Sequence, residues 1–290
     1  MSFSSKNFGV IAGLFRSFLI ALTAIISKYL LYFDPHEILL YRSLAASLFQ
    51  LSYLSIQRRS YSFRHLLKPE FLIYGSLCCI CSNLFIYALK LNSFSDAMIL
   101  CHTSPFFSFL IEIFIKKERF VFKELAYILV TFLGIMIISS DSYDFSMKKL
   151  NFFNLSYNHA VCLAQAALTA VRVGFEKKIA GKNQEITLNL ASLASYLIYG
   201  LLTSLYLGYL RIPDSKELSL LVLLGFLIIV SESLFIISLK QEKASIMLMI
   251  QSSRMFMSFF LEVLFLQTYP KVSNIVVSII IYFSIVTMMK

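Results

Sequence analysis

The sequence predicts an all-α membrane protein: ten transmembrane helices forming two inverted five-helix repeats around a central cavity. Three observations lead there. Of 290 residues, 58% are hydrophobic and only 14% charged, with a mean hydropathy of +0.77, whereas a soluble domain carries about a quarter charged residues. Apolar windows long enough to cross a bilayer recur along the whole chain. Finally, residues 74–114 and 224–264 repeat each other in one register.

The predicted spans are 8–30, 36–56, 71–90, 94–115, 120–140, 156–177, 186–207, 218–239, 244–266 and 269–289. Lys6 before an apolar run resembles a signal peptide, but Arg16 interrupts the run and no A-x-A cleavage site follows, so the first segment is retained as a span. Connections are short except 141–155, a polar linker that divides the chain into a first repeat, 1–140, and a second, 156–290. Five spans per half make the second half enter from the opposite side.

The repeat itself pairs Gly75 with Gly225, Leu84-Phe85-Ile86 with Leu234-Phe235-Ile236, Leu89-Lys90 with Leu239-Lys240, Ser95 with Ser245, Ser108-Phe109 with Ser258-Phe259 and Glu112 with Glu262. Leu, Ile and Phe coincide by chance in any membrane protein. Gly, Lys, Ser and Glu in one register are a stronger signal. Small residues at four-residue spacing, Gly9 and Gly13 in the first span and Ala166, Ala170 and Gly174 in the sixth, predict close helix contacts.

Charge placement fixes the expected orientation. With the N-terminus inside, cytoplasmic segments hold 15 of the 26 Lys and Arg, so both termini are expected to be cytoplasmic. The net charge of +10 is met by anionic lipid headgroups and calls for no nucleic acid. The five cysteines, odd in number and all within apolar segments, argue against a disulfide framework; Cys78, Cys79 and Cys81 are read as small packing residues with no metal or redox role.

Ionisable residues inside a hydrocarbon layer are expensive and face a cavity or a partner. By helical rise, Arg16, Glu232 and Arg254 fall at similar depths near the membrane middle. Glu232 can neutralise one Arg and leave the other for an anionic substrate group, a carboxylate by preference, because a guanidinium binds it with two hydrogen bonds. The competing reading is a buried ion pair that holds spans together. Span six places Gln165, Thr169, Arg172 and Glu176 on one face; Gln165 is the cavity candidate, and Arg172 with Glu176 is expected to snorkel towards the near surface. Glu112 and Glu262 are read first as solvated span ends and second as gate residues. In span four, His102, Pro105 and Phe109 share a face, and Pro105 is expected to bend the helix. His102 is read first as a residue bonded to a neighbouring helix and second as a titrating group. Phe85 and Tyr87 are candidate stacking surfaces.

The sequence holds no H-E-x-x-H, Gly-rich phosphate loop or G-x-S-x-G, so neither an enzyme nor direct ATP coupling is indicated. No cofactor or metal is expected.

Several of these features resemble the drug/metabolite transporter superfamily, in particular its ten-span EamA-like branch. Ser27-Lys28-Tyr29-Leu30 followed by Arg42 is similar to the family's first loop leading to an Arg in span two. Pro105 and Glu118, within Lys117-Glu118-Arg119, resemble its span-four proline and following acid, and Gly134 the glycine closing span five. The second half departs from the pattern, with Met255 in place of the proline and Thr268 in place of the acid. The resemblance implies a cavity lined by spans one, three, four, six, eight and nine, hence a substrate site of Arg16, Asn83, His102, Gln165, Glu232 and Arg254. It implies a multi-pass transporter of a bacterial inner membrane, working by alternating access on a small polar metabolite such as an amino acid or an S-adenosylmethionine-like compound. A proton or counter-substrate would supply the energy. A broad exporter of drugs and metabolites is the alternative, and a non-transporting scaffold the more remote one.

Overall fold

The computed structural model describes residues 5–56, 66–116, 130, 133, 157–180, 185–241, 247, 250, 251 and 253–288. The predicted linker 141–155 and nearly all of the predicted span 120–140 lie outside them. Among the described residues the regular structure is helical: α1 (Ser5–Tyr29), α2 (Pro35–Ile56), α3 (Pro69–Leu91), α4 (Phe94–Cys101), α5 (Ser104–Lys116), α6 (Tyr157–Ala180), α7 (Glu185–Leu207), α8 (Ser215–Gln241), α9 (Arg254–Leu261) and α10 (Val272–Met288). A π-helical turn, Glu262–Leu266, continues α9.

Four stretches are long and apolar enough to cross a membrane by themselves: Phe8–Tyr29, Pro69–Leu91, Ile186–Leu207 and Ser215–Gln241. Leu48, Leu205, Tyr206 and Ile212 are among many large apolar side chains turned outward. Water would penalise such a surface, and lipid does not. The chain is an integral, multi-pass membrane protein.

Helix starts are set by local chemistry. Asp214 and Glu217 exchange bonds at the head of α8, Glu217 N–H donating to Asp214 (2.7 Å) and Asp214 N–H to Glu217 (2.8 Å), a reciprocal cap. Glu37 accepts from Asp34 N–H (2.9 Å) at the head of α2, where Pro35 occupies a position that needs no amide donor. Gly208 ends α7 with φ +71°, a conformation that a side chain would strain.

The two sequence halves interleave. α1 runs along α8, α2 packs on α7 and α8, α3 on α6 and α7, α4 and α5 on α6, and α9 on α1. Two pairs of residues matched in the sequence occupy matching places. At Gly75 an added Cβ would lie 2.7 Å from the Ala191 carbonyl, and at Gly225 2.7 Å from the Arg42 carbonyl, so each glycine admits the backbone of the other half's second helix. Lys28 donates to the carbonyls of Leu89 (2.6 Å) and Asn92 (3.0 Å) at the end of α3. Lys177 donates to the carbonyl of Leu239, the partner of Leu89, at the end of α8. Both lysines satisfy carbonyls that a helix C-terminus leaves open.

The small-residue stripe of α6 is divided. Ala166 and Ala170 are buried, but Gly174 is exposed and an added Cβ there would meet nothing within 4 Å, so it is no contact point. All five cysteines are free thiols and buried.

Candidate functional site

The predicted fourth and ninth spans are not continuous helices. α4 ends at Cys101, His102 and Thr103 form a turn, and α5 starts at Ser104 with Pro105 as its second residue. An uninterrupted helix would drive the Pro105 ring against the Cys101 carbonyl and lose a bond there, so the break falls within the preceding turn. In the ninth span Met255 stands where the fourth has Pro105, yet α9 begins only at Arg254, after a turn at Ser253. The Ser253 hydroxyl donates to the Ile250 carbonyl (2.8 Å) beside the Ser253 N–H (3.2 Å), so a tight turn closes there. The two breaks place His102 and Arg254 on the wall of one internal cavity.

That cavity measures about 90 Å³, room for several water molecules. Arg16, Gln165, Glu232, His102 and Arg254 line it, as sequence reasoning expected, together with Arg42, Arg172, Tyr196, Gln251 and Phe85. Asn83 is not on its wall; its amide donates to the Tyr199 hydroxyl. Phe85 faces the cavity, and its ring centroid is 6.4 Å from that of His102, whereas Tyr87 is exposed. The side chain of Phe109 lies outside the described residues.

Glu232 organises the charges. One oxygen accepts from Arg16 (3.3 Å) and the other from Arg172 (2.7 Å). Arg16 also donates to the Ser231 carbonyl (3.2 Å) and stacks over Phe235, its guanidinium carbon 3.9 Å from the ring centroid. Arg172 reaches back to Glu176 (3.4 Å), which is fully buried. Arg172 and Glu176 therefore do not snorkel. They continue an interior chain Arg16–Glu232–Arg172–Glu176, because the α6 face that carries them is covered by α3 and α8.

Arg254 stands apart. It is buried, and its Nε and Nη2 have no partner among the described residues. Arg42 is buried too, its Nε unpartnered and its guanidinium carbon 5.5 Å from the Tyr196 ring centroid. Further groups left open in the same wall are His102 Nε2, Arg16 Nη1, Gln251 Nε2 and Gln165 Oε1, while Gln165 Nε2 donates to Thr169 (3.0 Å). A charged side chain at the membrane centre costs about 2.5–3.5 kcal/mol even on the most lenient scale. Among the described residues Arg42 and Arg254 meet that cost without a hydrogen-bonded carboxylate.

Arg42 and Tyr196 were not among the expected site residues and bring helices α2 and α7 to a cavity expected to be built without them, and Arg172, expected at the near surface, lies on the same wall. The available signal was that every Arg inside a span is expensive, whichever span carries it. Glu262 was expected to be solvated and is 4% exposed, with Thr268 donating to one oxygen (3.3 Å) and the other unpartnered. The π-helical turn and the chain after it fold over this carboxylate. The side chain of Glu112 lies outside the described residues.

A multi-pass membrane protein with a charged central cavity is the class that this geometry defines. Comparison adds a family: residues 7–140, a little under half of the chain, match the EamA-like transporter family. The match supports a membrane transporter of the drug/metabolite type, whose members act on small molecules and are not enzymes. The fold resembles that of a protein of known crystal structure, with a TM-score of 0.73 at 14% identity over 98% of each chain. No curated protein matches the sequence.

Proposed function

We propose that the protein is a secondary transporter that carries a small polar metabolite with an anionic group, a carboxylate by preference, through an alternating-access cycle. In this reading ten spans form two inverted repeats, and the cavity is the substrate site, with Arg16, His102, Gln165, Glu232 and Arg254 on its wall. Asn83 supports the wall through Tyr199. Amino acids are the leading substrate class, S-adenosylmethionine-like compounds the next, and the inner membrane of a bacterium with both termini cytoplasmic is the expected setting.

One observation carries the reading: Arg254, on the cavity wall, is buried beside a bridged Arg–Glu–Arg set, and its Nε and Nη2 have no partner among the described residues. A purely structural ion cluster would pair every charge, since an unpaired buried one is penalised. Binding the substrate's carboxylate would complete the set. The energy source is an ion or a counter-substrate.

The test is uptake of labelled amino acids and S-adenosylmethionine into proteoliposomes, with and without a proton gradient. Uptake by the wild type and its loss by at least about tenfold in Arg254→Lys, the cost of one charged hydrogen-bond pair, is the expected result. Near-normal uptake by folded Arg254→Lys and Glu232→Gln would remove the site. Transport of many unrelated apolar solutes, indifferent to Arg254, would favour a broad exporter.

A further inference from the structure

The charges around the cavity do not balance. Among the described residues four guanidinium groups meet there, Arg16, Arg42, Arg172 and Arg254, against the carboxylates Glu232 and Glu176. Glu232 is shared between Arg16 and Arg172, and Glu176 sits on Arg172. Arg42 and Arg254 have no hydrogen-bonded acid, and each is buried. A single carboxylate would therefore leave one of them uncompensated.

The open polar atoms tell the same story. Arg254 Nε and Nη2, Arg42 Nε, Arg16 Nη1, His102 Nε2 and Gln251 Nε2 belong to the lining side chains and lack partners. All but the imidazole nitrogen are obligate donors. Gln165 Oε1 is the one lining acceptor among these unpartnered atoms of the described residues. A ligand that satisfies this wall is rich in acceptors.

The two uncompensated groups are also separate. Arg42 comes from α2, which packs on α7 and α8, and its guanidinium carbon is 5.5 Å from the Tyr196 ring centroid, whereas Arg254 opens α9, which packs on α1 and α4. One compact anion cannot serve both as well as a molecule carrying two anionic groups some distance apart.

We propose that the cavity takes a small dianion with two separated anionic groups, of the dicarboxylate class. One carboxylate binds at Arg254, near His102 and Gln251, and the other at Arg42, near Tyr196. This deepens the transporter reading and rests on it. It also ranks the substrates considered above: an S-adenosylmethionine-like molecule, with an ammonium and a sulfonium for one carboxylate, brings positive charge to a wall that already holds an excess.

The test uses the full-length wild-type protein in nanodiscs, with [14C]succinate as the probe and lactate, leucine, S-adenosylmethionine and inorganic phosphate as competitors. Succinate is expected to bind and to be displaced by unlabelled succinate at concentrations at least about tenfold lower than by any of the four, as the gain of one further charged hydrogen-bond pair requires. Arg42→Gln is expected to shrink the succinate-over-lactate preference about tenfold or more, and Arg42→Lys to keep most of it. Equal or better displacement by lactate, leucine or S-adenosylmethionine overturns the dianion class, and better displacement by phosphate overturns the separation of the two groups. No binding of succinate overturns both. Flux of the same solutes in proteoliposomes separates the two levels. Succinate binding without movement of any solute leaves the ligand class standing and refutes transport, and leucine movement without succinate binding does the reverse.

Discussion

Replacing Gly225 with alanine tests the central packing of the molecule. The new Cβ would sit 2.7 Å from Ala45 Cβ, 2.7 Å from the Arg42 carbonyl oxygen and 2.8 Å from the Ala46 nitrogen. Carbon atoms rest at about 3.5–4.0 Å, so α2 and α8 must part by about an ångström. Two of the three obstacles are backbone, and no rotamer change relieves them. Overpacking of this kind costs about 1–3 kcal/mol, against which alanine returns up to about 1 kcal/mol of helix propensity. A net loss of about 1–2 kcal/mol lowers the midpoint by about 2–4 °C for each kcal/mol in a chain approaching this size. The assay is thermal denaturation in detergent, read as the surviving monodisperse peak in size-exclusion chromatography. Gly174→Ala is the reference, because its Cβ meets nothing within 4 Å and it is expected to melt at or above the wild type. Gly75→Ala, facing the Ala191 carbonyl at 2.7 Å, is expected to fall with Gly225→Ala. If Gly225→Ala matches or exceeds Gly174→Ala in stability, the close approach of α2 and α8 is wrong, and with it the placement of Arg42.

Three further outcomes are expected. Glu232→Gln strands Arg16 and Arg172 and should destabilise by about 3–5 kcal/mol, with Arg172→Gln added to it restoring part of the loss; a melt of the single variant shows this. Lys28→Met and Lys177→Met, at the ends of α3 and α8, each remove a donor from helix-end carbonyls, Leu89 and Asn92 for Lys28 and Leu239 for Lys177, and each should lose about 1–3 kcal/mol in a melt. Outside the spans, the Tyr209 hydroxyl holds the Asp34 carboxyl below its ordinary 3.8, with Lys90 (3.0 Å) also favouring the charged form. A lowered folded-state value means that this contribution is present above 3.8 and is lost as pH falls through the lower folded value. A pH series of melts should therefore show less acid sensitivity in Tyr209→Phe than in the wild type.

The membrane class was legible from composition because a bilayer forbids charges over long windows and soluble domains do not. Arg16, Glu232 and Arg254 were legible as a group because each is costly where it stands and counting residues along a helix gives its depth. Arg42 and Arg172 were just as costly, but their placement depends on rotation about the helix axis. A span that is apolar all round carries no polar face to set that rotation. Asn83 shows the reverse error: its depth was suitable, but α3 turns it to Tyr199. Spacing alone grouped Gly174 with Ala166 and Ala170, although α6 rotates past its neighbours within two turns. Pro105 announced the break in the fourth span. No proline announces the turn before Arg254, where the Ser253 N–H and hydroxyl both bond the Ile250 carbonyl.

The sheltered thiols have a practical consequence. Cys78, Cys79, Cys81, Cys101 and Cys162 are all buried, but Cys81 and Cys101 line the central cavity, so a membrane-impermeant maleimide should pass over the protein once these two are replaced by serine. A single cysteine engineered into any hydrophilic connection would then be the target, and its reaction in intact cells or only after lysis would report the side of the membrane on which that connection lies, without first building a cysteine-free background.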